Sequence, residues 1–262
     1  MLSWLPAHLL LIPVKFMFFQ LSRNDLTRRK PPLVLIHGAG GTHQHWPAVL
    51  RRLPDWTVYA LDLPGHGRSE GEGCNTVAAY REVIFEFCEA QGLERVVLAG
   101  HSMGGAVVQD FALHYGGRLA GMVLVGTGGK LRVAPAILDG LLSDFDATAR
   151  QITEWCHGPL ATEQQKRIYL KQLLQESPTV VHGDYAACDA FDLRADLPSI
   201  HTPALAICGT ADIMTPPKFS EYLAQHLPDA RLHLVPNAGH MVTLEAPEDL
   251  VETISEFLRN VP

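Results

Sequence analysis

One stretch limits the possible folds more than any other. Four apolar residues, Val96 to Ala99, run into Gly100-His101-Ser102-Met103-Gly104-Gly105, and an apolar stretch of helical period follows. A β-branched run bounded by glycine reads as a buried strand. Ala106, Val107, Asp110, Phe111 and Leu113 fit a helix packed on that strand. The serine then sits on a sharp strand-to-helix turn. Such a turn strains the backbone at its apex, and flanking glycines remove side chains that would collide there. The helix start aims free N–H groups and a positive dipole end at the serine oxygen. These are the mechanics of a G-x-S-x-G elbow, so Ser102 is read as a nucleophile. The plainer alternative is a chance meeting of glycines and serine in an ordinary turn.

Past Pro32 the chain alternates. Strand-like runs at 33–36, 57–61, 96–99, 122–125, 204–208 and 232–235 are mostly separated by helical stretches at 46–53, 77–91, 104–115, 218–226 and 247–258. The apolar runs do not alternate with polar residues, which predicts strands buried on both faces. A mostly parallel sheet flanked by helices follows. Between Val125 and Ala204 the rhythm stops. Helices are expected there at 138–145, 147–155, 164–175 and 185–190, too much chain for one crossover. Residues 130–193 are therefore expected to form a helical cap inserted into a core of 1–129 and 194–262. Ligands of open α/β sheets sit outside the carboxyl ends of the strands, and such a cap would roof that crevice.

A serine hydroxyl needs a base, and the base needs an orienting acid. Of thirteen histidines, His240 stands on a glycine-containing loop after the last strand, just before the terminal helix. His101 is expected to point away from the serine, and His66 to serve a glycine-rich turn. Asp212 follows the 204–208 strand in GTADIMTP and is chosen as the acid over Asp189, Asp192 and Asp196, which are read as surface or capping residues. Backbone N–H groups of Met103 and Ala39 are the expected oxyanion donors, with Gly40 in reserve. The glycine-rich HGAGG loop could instead cradle phosphate, but neither G-x-G-x-x-G nor a P-loop lysine is present.

Composition narrows the rest. A chain of 262 residues suits one large α/β domain, and a net charge of −7 argues against nucleic acid. Five scattered cysteines without C-x-x-C or Cys/His spacing indicate neither a disulfide framework nor a metal site. They fit a reducing, cytoplasmic setting. Residues 1–21 are strongly apolar, yet lack the leading charge and cleavage site of a signal peptide. Pro6, Pro13 and Lys15 interrupt any membrane span. The segment is read as early strands, or as an apolar arm that could touch a membrane surface.

With these residues in place, the chain resembles the capped, cofactor-free serine hydrolases of the α/β-hydrolase fold: carboxylesterases, carbon–carbon bond hydrolases and cofactor-free haloperoxidases. HGAGG, DLPGHGRS, GHSMGG, GTADIMTP and NAGHM with EAPE carry the resemblance, in order, from His37 to Glu248. Residues 1–30 depart from it, being more apolar and more basic than the usual short hairpin. The resemblance implies the α/β-hydrolase fold with its cap after the sixth strand, and neither metal nor organic cofactor.

The expected reaction is hydrolysis of a small carboxylic ester through an acyl-enzyme, with Ser102, His240 and Asp212 as the triad. A carbon–carbon hydrolase of vinylogous diketones would use the same triad. Such enzymes commonly hold a substrate carboxylate with cations near the site. The obvious cation in the motif loops, Arg68, is read as bracing its own turn, which favours a neutral ester. A receptor-like binding protein on this scaffold would have no reason to keep nucleophile, base, acid and oxyanion loop together. Phe145, Trp155, Tyr185 and Phe191 of the cap are the expected substrate walls. Oligomeric state is not legible.

Overall fold

The computed structural model describes residues 17–24 and 30–261. Its strands are β1 (Phe19–Arg23), β2 (Leu33–Ile36), β3 (Thr57–Leu61), β4 (Val96–His101), β5 (Leu119–Val125), β6 (Ala204–Gly209) and β7 (Ala230–Val235). They form one sheet in the order β1-β3-β2-β4-β5-β6-β7. Only the edge pair β1–β3 is antiparallel. Every residue of β2, β4, β5 and β6 is buried, as continuous apolar runs require. The edge strand β7 keeps polar, partly exposed positions.

The pleat sorts side chains onto the two faces. Val96 and Leu98 of β4 join the core beneath the helices α1 (Val77–Ala90) and α2 (Met103–Tyr115), with Phe87 and Phe111. Val97 and Ala99 join the opposite core, with Trp46 and with Ile254 and Phe257 of the C-terminal helix Pro247–Arg259. Thr76 caps α1, its hydroxyl accepting from the Ala79 N–H at 3.1 Å. Between β5 and β6 lie α3 (Pro135–Ser143), α4 (Phe145–Cys156), α5 (Glu163–Leu173) and α6 (Pro178–Ala190), which share a small core of their own. The chain leaves and returns at one neck. There the Leu193 N–H donates to the Gly129 carbonyl at 2.8 Å, and Lys130 and Asp192 form an antiparallel bridge.

Two expectations need correction, and a third, the strand count before the inserted helices, rests on residues outside the described ones. Among the described residues five strands precede α3. A further strand before Phe19 would fall on residues 1–16, outside the described residues, as does most of the apolar N-terminal segment. The helix expected at 46–53 forms only one short 3-10 turn, Leu50–Arg52, and another, His43–His45, lies just before the span. Pro47 and Pro54 bracket it, and Leu53 is pushed to an extended ψ of 126° by the proline that follows. The helix expected at 138–145 stops at Asp144, whose carboxylate accepts from the Ala147 N–H at 3.2 Å and starts α4 instead. No helix of the described residues is long and apolar enough to cross a membrane.

The sheet order locates the crevice. From β2 the chain moves to β3 on one side, then returns past β2 to β4 on the other, so the winding direction reverses between β2 and β4. Ile36 and Gly100 are register partners, so the loops after these two strands start level. Ligands of open α/β sheets bind at such a reversal.

Candidate active site

Ser102 follows β4 directly, with φ 52° and ψ −116°. This left-handed backbone costs a non-glycine residue about 1–3 kcal/mol and persists only where its surroundings over-determine it. They do: the Ser102 N–H donates to the Val125 carbonyl at 2.9 Å, and the Ser102 carbonyl accepts from Gly105 N and Thr127 Oγ1, each at 2.9 Å. The neighbouring glycines supply room, not left-handed geometry. A Cβ on Gly100 would press on the Gly104 carbonyl, and one on Gly104 on the Ile36 carbonyl.

His240 and Ser102 line one cavity. His240 Nδ1 lies 2.9 Å from Asp212 Oδ2, and both side chains are buried. Asp212 Oδ1 accepts from the Met214 and Thr215 N–H groups at 2.9 Å each, and Oδ2 from the Thr215 hydroxyl at 2.8 Å. Burial pushes the Asp212 carboxyl up, but His240 and the hydrogen bonds outweigh burial and leave it below the usual carboxylate range. It stays an acceptor, which selects the Nδ1–H tautomer of His240 and leaves Nε2 basic. The His240 backbone is held from three directions. His101 Nε2–H donates to the His240 carbonyl at 2.9 Å, Met241 N–H to the Cys156 carbonyl at 2.9 Å, and Gly239 N–H to Glu245 Oε2 at 2.9 Å. His101, expected to point away from the serine, is spent on this loop. It packs on His240 at 4.8 Å between ring centroids, and burial lowers it to about 3, keeping it neutral.

The HGAGG loop after β2 is built around its hydrogen bonds. His37 Nδ1–H donates to the Gly38 carbonyl at 2.8 Å, and its Nε2 accepts from the Leu63 N–H at 2.9 Å. The Gly40 N–H donates to Asp184 Oδ2 of α6 at 2.8 Å. Gly40 therefore cannot serve as the reserve oxyanion donor, and with φ +60° it faces Leu173 and Val181, off the cavity. The N–H groups of Ala39 and Met103 have no acceptor among the described residues. Met103 is the first residue of α2, where an N–H lacks an intrahelical partner.

Asp184 clips the inserted helices to this loop. Its fully buried carboxylate also accepts from His66 Nε2 at 2.7 Å and the Tyr80 hydroxyl at 2.5 Å. Burial lowers His66, but the Asp184 charge and hydrogen bond overcome it and hold the imidazole up to about 9. The stability this pair contributes is complete below the ordinary value of 6.5 and is lost as pH rises through about 9. The urea midpoint is thus expected to fall over that interval, and to fall less in His66→Gln. Asp184→Ala strands three buried donors and should cost about 3–5 kcal/mol by urea denaturation.

Of the four expected wall residues, only Tyr185 lines the cavity. Phe145 packs among the inserted helices, Phe191 sits in the core beneath the sheet, and Trp155 is 39% exposed. Helical period alone does not say which face of a short helix meets the site. The other walls include His45, Tyr169, Met214, Phe219 and Arg132. His45, made neutral by burial at about 4, stacks on Tyr169 at 5.2 Å. Arg132 adds a cation beside the site that the reading of Arg68 did not count. It stands on the stretch between β5 and α3, outside every motif. Arg68 has its guanidinium 4.0 Å from the Phe18 ring centroid, and its backbone N–H donates to Asp62 Oδ2 at 3.0 Å. Thr215 was also missed, though its place beside the acid in GTADIMTP was the available signal. Among the described residues no three His, Cys, Asp or Glu side chains group to hold a metal ion.

A sequence profile described as the alpha/beta hydrolase family matches residues 33–253. A pimeloyl-[acyl-carrier protein] methyl ester esterase of Serratia marcescens is 27% identical over 86% of this chain and 93% of its own. A putative 2-succinyl-6-hydroxy-2,4-cyclohexadiene-1-carboxylate synthase of Bacillus subtilis is 27% identical over 87% of this chain and 90% of its own. The solved structure of a thermophilic esterase superposes with a TM-score of 0.80 at 30% identity, covering 93% of this chain and 99% of its own.

Proposed function

The chain belongs to the alpha/beta hydrolase family, and from that premise we propose that it hydrolyses carboxylic esters through an acyl-enzyme on Ser102. The observation that carries this reading is one small cavity lined by a strained serine, by a histidine bonded to a buried carboxylate, and by Ala39, whose N–H, like that of Met103 next to the serine, is uncommitted. Esterases among the relatives support the substrate class. His240 Nε2 takes the Ser102 proton as Oγ attacks the ester carbonyl. The Ala39 and Met103 N–H groups stabilise the oxyanion. Collapse expels the alcohol, protonated by His240, and leaves an ester on Oγ. His240 then activates water, the same oxyanion forms, and its collapse releases the acid and restores the serine hydroxyl. Asp212 holds the tautomer and stabilises the imidazolium without accepting a proton.

Residues 130–193 act in this reading as a cap over the acyl group. The cavity is only about 70 Å³, roughly half the 150 Å³ of an engineered cavity that admits benzene. Short acyl groups are thus expected to be preferred. Purified protein assayed on p-nitrophenyl esters of increasing length should turn over acetate and butyrate best, and no turnover of any would sink the proposal. Tyr185→Leu should move the optimum to longer chains while sparing acetate. An unchanged chain-length profile would remove Tyr185 from the acyl wall.

A second reading, hydrolysis of a carbon–carbon bond in a vinylogous diketone, is favoured by Arg132, a cation able to hold the carboxylate of such a substrate. Direct comparison of the two substrate types, with ring-fission diketones followed by loss of their absorbance, separates the readings.

A further inference from the structure

Beside the Ser102 cavity runs a second hollow of about 670 Å³, which shares Arg132 and Phe219 with it. Lys130, Arg194, Lys218 and Tyr222 line the rest, together with Gly129. A chain of net charge −7 thus sets four cations along one hollow next to its nucleophile. Asp192 offsets one charge, pairing with Lys130 at 2.9 Å and Arg194 at 2.8 Å, and so fixes these two at the neck of the inserted helices. Arg132 and Lys218 have no ion-pair partner among the described residues. The Lys218 ammonium has a ring beside it, 5.9 Å from the Phe219 centroid. Clefts lined by one sign of charge concentrate ligands of the other sign. A guanidinium adds a planar fork that fits carboxylate or phosphate oxygens in pairs.

We infer that this hollow receives an anionic tail of the substrate, a carboxylate or phosphate borne on the part of the ester that projects past Arg132 and Phe219. The inference rests on the ester reading and narrows it. The reacting carbonyl sits at Ser102, the intervening carbons lie against Phe219 and Tyr222, and the anion meets Arg132 and Lys218. Lys130 and Arg194, already paired, supply background field more than direct contact. The expectation of a neutral ester, drawn from Arg68 alone, is replaced.

The test compares p-nitrophenyl monoesters of dicarboxylic acids of increasing length with p-nitrophenyl alkanoates of equal length. A matching series ends in phosphate, and acetate esters of ω-hydroxyalkanoates carry the anion on the alcohol side. Each is assayed with the wild type, Arg132→Gln/Lys218→Gln and the charge-preserving Arg132→Lys/Lys218→Arg. Removing both charges deprives the tail of two exposed ion pairs, which should lower the anionic-to-neutral ratio of kcat/KM roughly three- to tenfold. High salt should shrink the wild-type ratio in the same direction, and the charge-preserving pair should keep most of it. Preference confined to one anion identifies the source of the tail. Equal ratios in wild type and Arg132→Gln/Lys218→Gln, for every tail on either side, overturn the inference while leaving the ester reading intact. Failure of the wild type to cleave any ester, neutral or anionic, overturns both.

Discussion

Ester turnover in Ser102→Ala is expected to fall by about 10⁴–10⁶, the loss met when a serine hydrolase is deprived of a triad member. The fold should survive the change. Alanine keeps the Cβ, and the hydrogen bonds that hold the strained φ of 52° use the backbone of residue 102, not its hydroxyl. The urea midpoint therefore stays near that of the wild type, which separates loss of chemistry from loss of structure. Residual turnover is expected to come from the oxyanion donors alone. A phosphonylating reagent should add its mass to the wild-type peptide carrying Ser102 and leave Ser102→Ala unlabelled. Retention of more than a few per cent of activity, or labelling elsewhere, would remove Ser102 as the nucleophile.

Asp212→Asn should lower kcat by roughly 10⁴, as the same change does in serine proteases built on this triad. The amide can present its NH₂ to His240 Nδ1, favouring the tautomer that carries its proton on Nε2, where it cannot accept from Ser102. Thr215 moderates the loss. Its hydroxyl lies 3.1 Å from His240 Nδ1 and can accept the Nδ1–H once the carboxylate is gone. Adding Thr215→Val to Asp212→Asn is accordingly expected to cost further activity beyond that of Asp212→Asn. An Asp212→Asn protein with near-normal kcat would show that another group orients the imidazole. Asp192 is no substitute, since it is exposed and engaged with Lys130 and Arg194.

The central strands were legible because each is a short apolar run buried on both faces. The expected runs at 33–36 and 57–61 coincide with β2 and β3, and that at 204–208 falls one residue short of β6. The strand-to-helix break at Ser102 was legible because glycines and apolar period change together there. Asp212 and His240 could be nominated because each follows a strand on a turn-rich loop. Less visible was the surrounding support: Thr215 beneath the acid, His101 and Glu245 around the His240 loop, Asp184 on the Gly40 N–H. These are single polar residues joined across as many as 144 positions, and no local pattern marks such a partner.

Local period and turn chemistry act between residues a few positions apart, so the sequence by itself determined the alternating layers, the elbow and the chain order of Ser102, Asp212 and His240. The cavity wall and the charge beside it are contacts between distant segments, so only the tertiary structure decided them. The inserted helices dock through Asp184 and Met241, which turns Tyr169 and Tyr185 inward and leaves Trp155 outside. At their neck, the Leu193–Gly129 hydrogen bond brings Arg194 back beside Lys130. Arg132, anonymous in the sequence, acquires a place at the site because the chain leaves β5 past the cavity on its way to the inserted helices.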